Sequence, residues 1–389
     1  TTGPRVVVVG AGAFGGWIAL ELLRRGARVT LVDAWGPGNS RASSGGEGRA
    51  IRAIYGPDEI YVRMVRRAFE LWAELEAACE EPIYHETGAL WLLPGDDGYV
   101  SAAVPLLERH GFPVERPSLD EARRRYPQID FEGISAAVLE RRAGVLSARR
   151  ACRLVRDRFV AAGGAYRTGR APGGPIDGER LGALRLEEGP ELEADRFVFA
   201  CGPWLGRLFP DVVGEAVRPS RQEVYYFGTP AGSALYGPGR LPIWIDFDRR
   251  IYYGFPDTHG RGFKIADDTR GEPVDPTSLD RRPTGEGVEA ARAFLRRRFP
   301  GLADAPLLET RVCQYENSPD GDLIADRHPG AADVWLVGGG SGHGFKLSPA
   351  LGELVAEAVL ADGPAEPRFR LGRLRGEGAP TTQFERDGS

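Results

Sequence analysis

Lysine is almost missing from this chain: of 50 basic residues only Lys264 and Lys346 are lysines, and the rest are arginine. Arginine presents a broad, permanently charged fork, whereas lysine is a compact point charge whose pKa can be tuned. Two lysines kept against that bias are either leftovers of codon usage or places where only an ammonium works. Cysteine is also scarce. Cys79, Cys152, Cys201 and Cys313 are scattered and form no CxxC pair, which excludes a disulfide framework and fits a reducing cytoplasm. There is no excess of positive charge: the net charge of −5 leaves no electrostatic case for nucleic acid or an anionic membrane surface. The arginine runs 123–125 and 296–298 lie beside helical patterns and read as solvated faces. No apolar run is long enough to span a bilayer. The stretch Val6–Leu20 after Arg5 is largely apolar, but four glycines and the lack of a following cleavage site argue against a signal peptide.

What is present is the material of an ordinary globular protein, with 42% apolar residues and a length that suits two domains. The opening reads as strand Arg5–Val9, a glycine turn, an amphipathic helix Phe14–Arg25 and a second strand Arg28–Asp33, which is a βαβ unit. A helix is expected over 58–78, a short strand at Leu90–Leu93, and a helix capped by Ser147 and running to about residue 162. The strand Arg196–Ala200 ends in Cys201-Gly202-Pro203-Trp204, where small residues let backbone approach a ligand. From 217 to 264 the pattern turns strand-rich and aromatic, as in a separate antiparallel sheet. Strand Val334–Val337, a glycine-rich turn, and a helix entered through Ser348 and Pro349 then return to the opening style. The expected fold is α/β. A Rossmann-like dinucleotide domain (1–80, 145–215 and 320–370) is interrupted by an α+β substrate domain with a mainly antiparallel sheet (81–144 and 216–319); the chain from Gly363 onward reads as exposed, and 371–389 is set apart as a tail.

Gly10-Ala11-Gly12-Ala13-Phe14-Gly15 follows a strand and opens a helix, and Asp33 ends the next strand. Glycines permit the tight turn and the approach of a pyrophosphate, the helix N-terminus attracts anions, and the aspartate accepts a ribose hydroxyl. An acidic residue there disfavours a 2′-phosphate, leaving FAD or NAD. The run Gly338-Gly339-Gly340-Ser341-Gly342-His343-Gly344-Phe345-Lys346 would add a second set of amides and a helix dipole, which suits a flavin that becomes anionic on reduction.

These segments, with Gly48-Arg49-Ala50-Ile51-Arg52, Tyr55, Tyr252-Tyr253-Gly254-Phe255-Pro256, Gly262-Phe263-Lys264 and Val312-Cys313-Gln314-Tyr315, resemble the monomeric sarcosine oxidase family of D-amino-acid-oxidase-like flavoproteins along nearly the whole chain. The resemblance implies FAD bound covalently through Cys313 and cradled by Gly10, Gly12, Gly15, Asp33, Ser43, Gly202, Trp204, Gly340, Gly342, His343, Gly344 and Lys346. It implies that Lys264 activates oxygen over the flavin, that Arg49 lies close to the flavin, and that Arg52 and Lys346 hold the substrate carboxylate. Tyr253 and Tyr315 match aromatic residues of the substrate cavity. Three departures stand out: Asp268 replaces a histidine near the substrate, Trp244 replaces a smaller side chain of the substrate pocket, and Ser44-Gly45 replaces a histidine pair beside the flavin.

The reading is a flavin-dependent oxidase of secondary amines in amino acids, with Lys264, Arg49, Tyr253, Tyr315 and Asp268 as the catalytic set, and hydrogen peroxide released. No general base and no metal site are nominated. Sarcosine and other N-methyl amino acids, cyclic imino acids and fructosyl amino acids are the candidate substrates, and an extra carboxylate at Asp268 suggests a second polar or cationic group. The alternatives are an NAD-dependent dehydrogenase and a flavoprotein without oxidase turnover. The expected partners are an amino acid and O2, with no nucleic acid and no membrane, for a monomer in the cytoplasm.

Overall fold

The structure, a computed structural model, describes residues 3–375 apart from 96–97, 173–175, 177, 259 and 364–365. Its nucleus is the strand Arg5–Val9, four consecutive valines buried on both sides. Such a run suits the centre of a parallel sheet covered on each face. The six strands lie in the order Ile324–Arg327, Val334–Gly338, Arg196–Phe199, Arg5–Val9, Arg28–Asp33 and Ala165–Thr168. The first pair is antiparallel and the others are parallel. The helix Ala13–Arg24 is apolar nearly all round because it is sandwiched between this sheet and the helices Glu59–Cys79, Ala148–Ala161 and Ser348–Ala361, with Trp17 edge-on to Trp72 at 5.2 Å.

The chain leaves this sheet after Asp33 and again after Phe199, and the two excursions build a second, eight-stranded sheet together. Its order is Leu307–Asn317, Arg218–Phe227, Phe263–Asp267, Tyr252–Phe255, Ile243–Asp246, Ala89–Leu93, Ala136–Glu140 and Val114–Glu115. All neighbours are antiparallel except Ile243–Asp246 and Ala89–Leu93, the parallel seam where the two excursions meet. Side chains alternate between the faces of this sheet. One face (Leu90, Leu92, Trp244, Phe263, Ile265) packs under the helix Gly285–Arg298 in a core of its own. The other face, carrying Trp91, Ile243, Ile245, Tyr253, Phe255 and Lys264, looks toward Arg52 and the 342–346 turn. That alternation decides which side chains can take part in chemistry.

Several expectations shift. The Ser147 hydroxyl does not cap its helix and sits 3.2 Å from Nε2 of His85 instead. Ser348 is the first helical residue, its hydroxyl donating to the carbonyl of Phe345 at 2.8 Å, and Leu347 takes the cap position. The segment after Gly363 is docked as far as it is described. Phe369 is fully buried, Arg368 donates to Asp322 at 3.0 Å, and Arg373 donates to Asp320 at 2.7 Å, because a buried ring and the acidic 320–322 turn supply what a tail lacks. Residues 376–389 of the expected tail lie outside the described residues.

Candidate active site

The larger cavity, about 610 Å³, opens at the carboxyl ends of the parallel strands. That is where open α/β sheets bind ligands. Gly10, at φ +103°, makes the turn; a Cβ there would lie 2.3 Å from the carbonyl oxygen of Ala200. Gly12 lines the cavity, whereas Gly15 serves the packing of the helix onto the turn, since its Cβ would lie 1.8 Å from the carbonyl oxygen of Gly10. Asp33 lines the cavity too, and its carboxylate braces the wall: Oδ2 accepts from the Ala11 amide at 2.7 Å, and Oδ1 accepts from those of Trp35 and Gly36 at 2.8 and 2.6 Å. The far wall comes from Gly340, Gly342 and Gly344, and Ser43, Gly202 and Trp204 complete the set expected to meet a cofactor.

An elongated dinucleotide fits these residues. Glycines on two sides leave room for backbone approach, and the Ser43 hydroxyl is buried without a partner. Buried hydroxyls ordinarily find one. Glu316 is a further wall residue that sequence reasoning missed. Burial pushes its carboxyl up to about 8 against the pull of the Gly339 and Gly340 amides, and Oε1 has no partner. A glutamate on an amphipathic strand gives no sequence signal of this, because such residues are ordinarily solvated.

The smaller cavity, about 60 Å³, adjoins the larger one, and Arg49, Tyr315, Gly342 and Phe345 line both. Arg49 donates to the carbonyl oxygens of Gly48 and Ser43 at 2.9 and 2.5 Å and lies 3.5 Å from the sulfur of Cys313, which is itself 3.6 Å from the Ser43 carbonyl oxygen. Cys313 is thus held against two residues of the cofactor wall. Burial works against the Arg49 charge, but the Cys313 thiol and the surrounding phenols raise its pKa, so it stays a cation.

Both lysines reach the smaller cavity, and neither forms an ion pair among the described residues. Lys264, 2% exposed, lies 3.8 Å from the ring centroid of Phe255 and 3.5 Å from the Gly48 carbonyl oxygen. Burial and then the Arg49 charge hold its pKa well below the ordinary lysine value. Lys346 donates to the His343 carbonyl oxygen at 3.0 Å and is pushed down by burial and then by Arg52. Arg52 lies between the rings of Tyr55 and Trp91, at 5.1 and 5.0 Å, and donates to the Ile54 carbonyl oxygen. Behind it lies Glu140, which sequence reasoning did not find. Glu140 accepts from Trp91 at 2.8 Å and from the amides of Ala53 and Ile54 at 2.6 and 3.2 Å; burial nonetheless raises its pKa.

The remaining polar wall is a chain of hydroxyls ending on a carboxylate. Tyr315 donates to Oδ1 of Asp268 at 2.8 Å, and the Tyr253 hydroxyl lies 3.4 Å from that of Tyr315. Burial raises the pKa of all three groups. Three expected residues are placed differently. The His343 ring belongs to the wall of the smaller cavity, with Nε2 2.8 Å from the Gly321 carbonyl oxygen and Nδ1 3.1 Å from the Tyr55 hydroxyl. Lys346 likewise reaches the smaller cavity and not the larger. Trp244 reaches neither: it is fully buried in the second core, stacked at 5.4 Å on Phe294 and at 5.6 Å on Phe263, because its neighbours Ile243 and Ile245 occupy the cavity face of that strand. Among the described residues no cluster of His, Cys, Asp or Glu could hold a metal, and no helix is long and apolar enough to cross a membrane.

A family model described as FAD dependent oxidoreductase matches residues 5–358. The chain is 31% identical to a monomeric sarcosine oxidase of Bacillus sp. (strain B-0618) over 360 residues, covering 91% of this chain and 92% of that protein. It is 30% identical to an N-methyl-L-tryptophan oxidase of Salmonella arizonae, covering 95% and 98%. In fold it is similar to the L-proline dehydrogenase of P. horikoshii, with a TM-score of 0.82 at 23% identity over 97% of this chain and 99% of that one.

Proposed function

The chain belongs to the FAD dependent oxidoreductase family and is an FAD-dependent amine oxidase, and from that premise we propose that it acts on small secondary amino acids of the sarcosine type, with its flavin linked to Cys313 and hydrogen peroxide as the second product. The membership sets aside the nicotinamide-dependent dehydrogenase. The observation that carries the proposal is the pair Arg52 and Lys346 in a cavity of about 60 Å³ whose apolar walls include Trp91, Ile243, Ile245, Ile251 and Phe255. Two buried cations side by side repel each other, and at Lys346 the nearby carboxylates of Glu140 and Asp268 only partly offset burial and Arg52. A carboxylate bound there would restore the Lys346 charge that burial and Arg52 oppose. The volume favours a substrate of a few heavy atoms, since each water-sized occupant needs about 10–15 Å³ of such space. Fructosyl amino acids are disfavoured on the same ground.

When bound, FAD supplies the two-electron oxidation of the bond between the amine nitrogen and its neighbouring carbon and passes the electrons to O2. The chain's own residues do the rest. Arg52 and Lys346 orient the substrate through its carboxylate, and Trp91 and the isoleucines exclude water. Arg49, at the junction of the two cavities, sets a fixed positive charge between cofactor and substrate. Lys264 offers a compact ammonium for the charge that develops on oxygen. Peroxide release from a panel of N-methyl amino acids, cyclic imino acids and fructosyl amino acids tests the reading. Turnover is expected for the smallest secondary amines, and turnover of the fructosyl compounds alone would overturn it.

A further inference from the structure

Asp268 is the carboxylate among the described residues that lines the smaller cavity. Its amide donates to the Ile251 carbonyl oxygen at 2.8 Å, which fixes the backbone, and Oδ1 accepts from Tyr315 at 2.8 Å. Oδ2 accepts no hydrogen bond among the described residues. An amino acid brings two charges into this cavity, a carboxylate and an ammonium. Arg52 and Lys346 match the first, and Asp268 matches the second.

Removing a hydride from the carbon beside nitrogen draws on the nitrogen lone pair, and an ammonium has none. The proton must leave before oxidation. We propose that Asp268 takes the ammonium proton of the bound substrate: the N–H bond breaks, its electron pair stays on nitrogen as the lone pair, and the proton forms an O–H bond at Oδ2. This rests on the reading of the site as one for secondary amino acids.

The step cancels a buried ammonium against a buried carboxylate, which a poorly solvated cavity favours. Burial raises the Asp268 pKa and so favours the protonated product of the transfer. The groups that bear on its titration are Arg270, Tyr315, Arg52 and Asp267, and it is coupled in turn to Lys346, Lys264 and Tyr253. Arg270 holds the Ser341 carbonyl oxygen at 2.8 Å and leaves Nε and Nη1 buried without partners, so it tempers the rise without neutralising Asp268 in an ion pair.

The test compares the flavin-loaded wild type with Asp268→Asn and Asp268→His, reading anaerobic bleaching of the flavin by N-methylglycine across pH, and the affinity for methoxyacetate, which has an ether oxygen in place of the nitrogen. For Asp268→Asn the bleaching at neutral pH is expected to slow about 100-fold or more, the scale of a lost general base, and to climb with pH as neutral amine becomes available in solution. Methoxyacetate affinity is expected to stay unchanged. Asp268→His keeps an acceptor and is expected to recover much of the rate, with an inflection moved toward about 6.5. Wild-type rates and an unmoved pH profile in Asp268→Asn overturn the proposal, as does an equal loss of methoxyacetate affinity, which would make the role structural. A wild type that no small secondary amino acid bleaches overturns the secondary-amine reading itself, and the proposal with it.

Discussion

In the larger cavity many of the groups that meet a ligand come from a few contiguous segments, 9–14, 33–35, 42–44, 200–204 and 340–345, and much of what these offer is backbone. In the smaller cavity they come mostly one or two at a time from six strands and the turns beside them, and nearly all of what they offer is side chain, much of it titratable. The first cavity therefore tolerates changes of side chain as long as the chain path survives. The second depends on single atoms, and on charges that burial opposes.

The sharpest way to break that contrast lies at Cys313, a side chain held against the backbone-built cavity. Cys313→Ala is expected to abolish covalent attachment altogether: after acid precipitation the yellow colour should move wholly from the pellet to the supernatant, while Cys79, Cys152 and Cys201 variants keep it in the pellet. A wild-type pellet already free of colour rules the linkage out.

Next in size is Lys264→Met. Reoxidation by air should slow about a hundredfold or more, the scale of one lost preorganised charge contact, while anaerobic reduction by substrate survives. Stopped-flow traces of the two half-reactions decide it. Lys264→Arg should rescue only partly, because the guanidinium is wider than the ammonium.

Lys346→Met should weaken carboxylate inhibitors by about 10- to 100-fold, the range of one hydrogen bond to a charged group. The lysine must be protonated to help. Since burial and Arg52 lower its pKa, wild-type affinity should decline as pH rises through a value below the ordinary lysine range, and the Met variant should lack that limb. Inhibitor titrations over pH check both points.

Smaller effects are expected in the walls that touch no substrate. Glu316 ionises near 4.5 in the unfolded chain and near 8 in the folded one, so folding stability is lost as pH rises through that window. Glu316→Gln lacks the loss, and its melting temperature should pull ahead of wild type by a few degrees toward pH 8, on the order of 1–2 kcal/mol. Trp244→Phe should lower stability by about 1–3 kcal/mol through the void it leaves while leaving KM unchanged. A changed KM would return Trp244 to the substrate pocket.

The dinucleotide half was legible because its determinants are local. Gly10, Gly12, Gly15 and Asp33 announce a turn, a helix start and a strand end within one unit, and period-2 and period-3.6 patterns give the elements around them. The rarity of lysine drew attention to Lys264 and Lys346, and the structure sets both on one cavity. Trp244 shows the limit. The alternation Ile243, Trp244, Ile245 is plain in the sequence, but it does not say which face is covered by the helix Gly285–Arg298 and which looks toward Arg52 and the 342–346 turn. Glu140 behind Arg52, Glu316 beside Gly339 in the second glycine turn, and Asp268 under Tyr315 are pairings across 88, 23 and 47 residues. The sequence by itself determined the backbone cradle, because turn and helix geometry are set by neighbouring residues. Only the tertiary structure decided which side chains are stripped of water next to which charges, because burial and electrostatic coupling depend on distances through space.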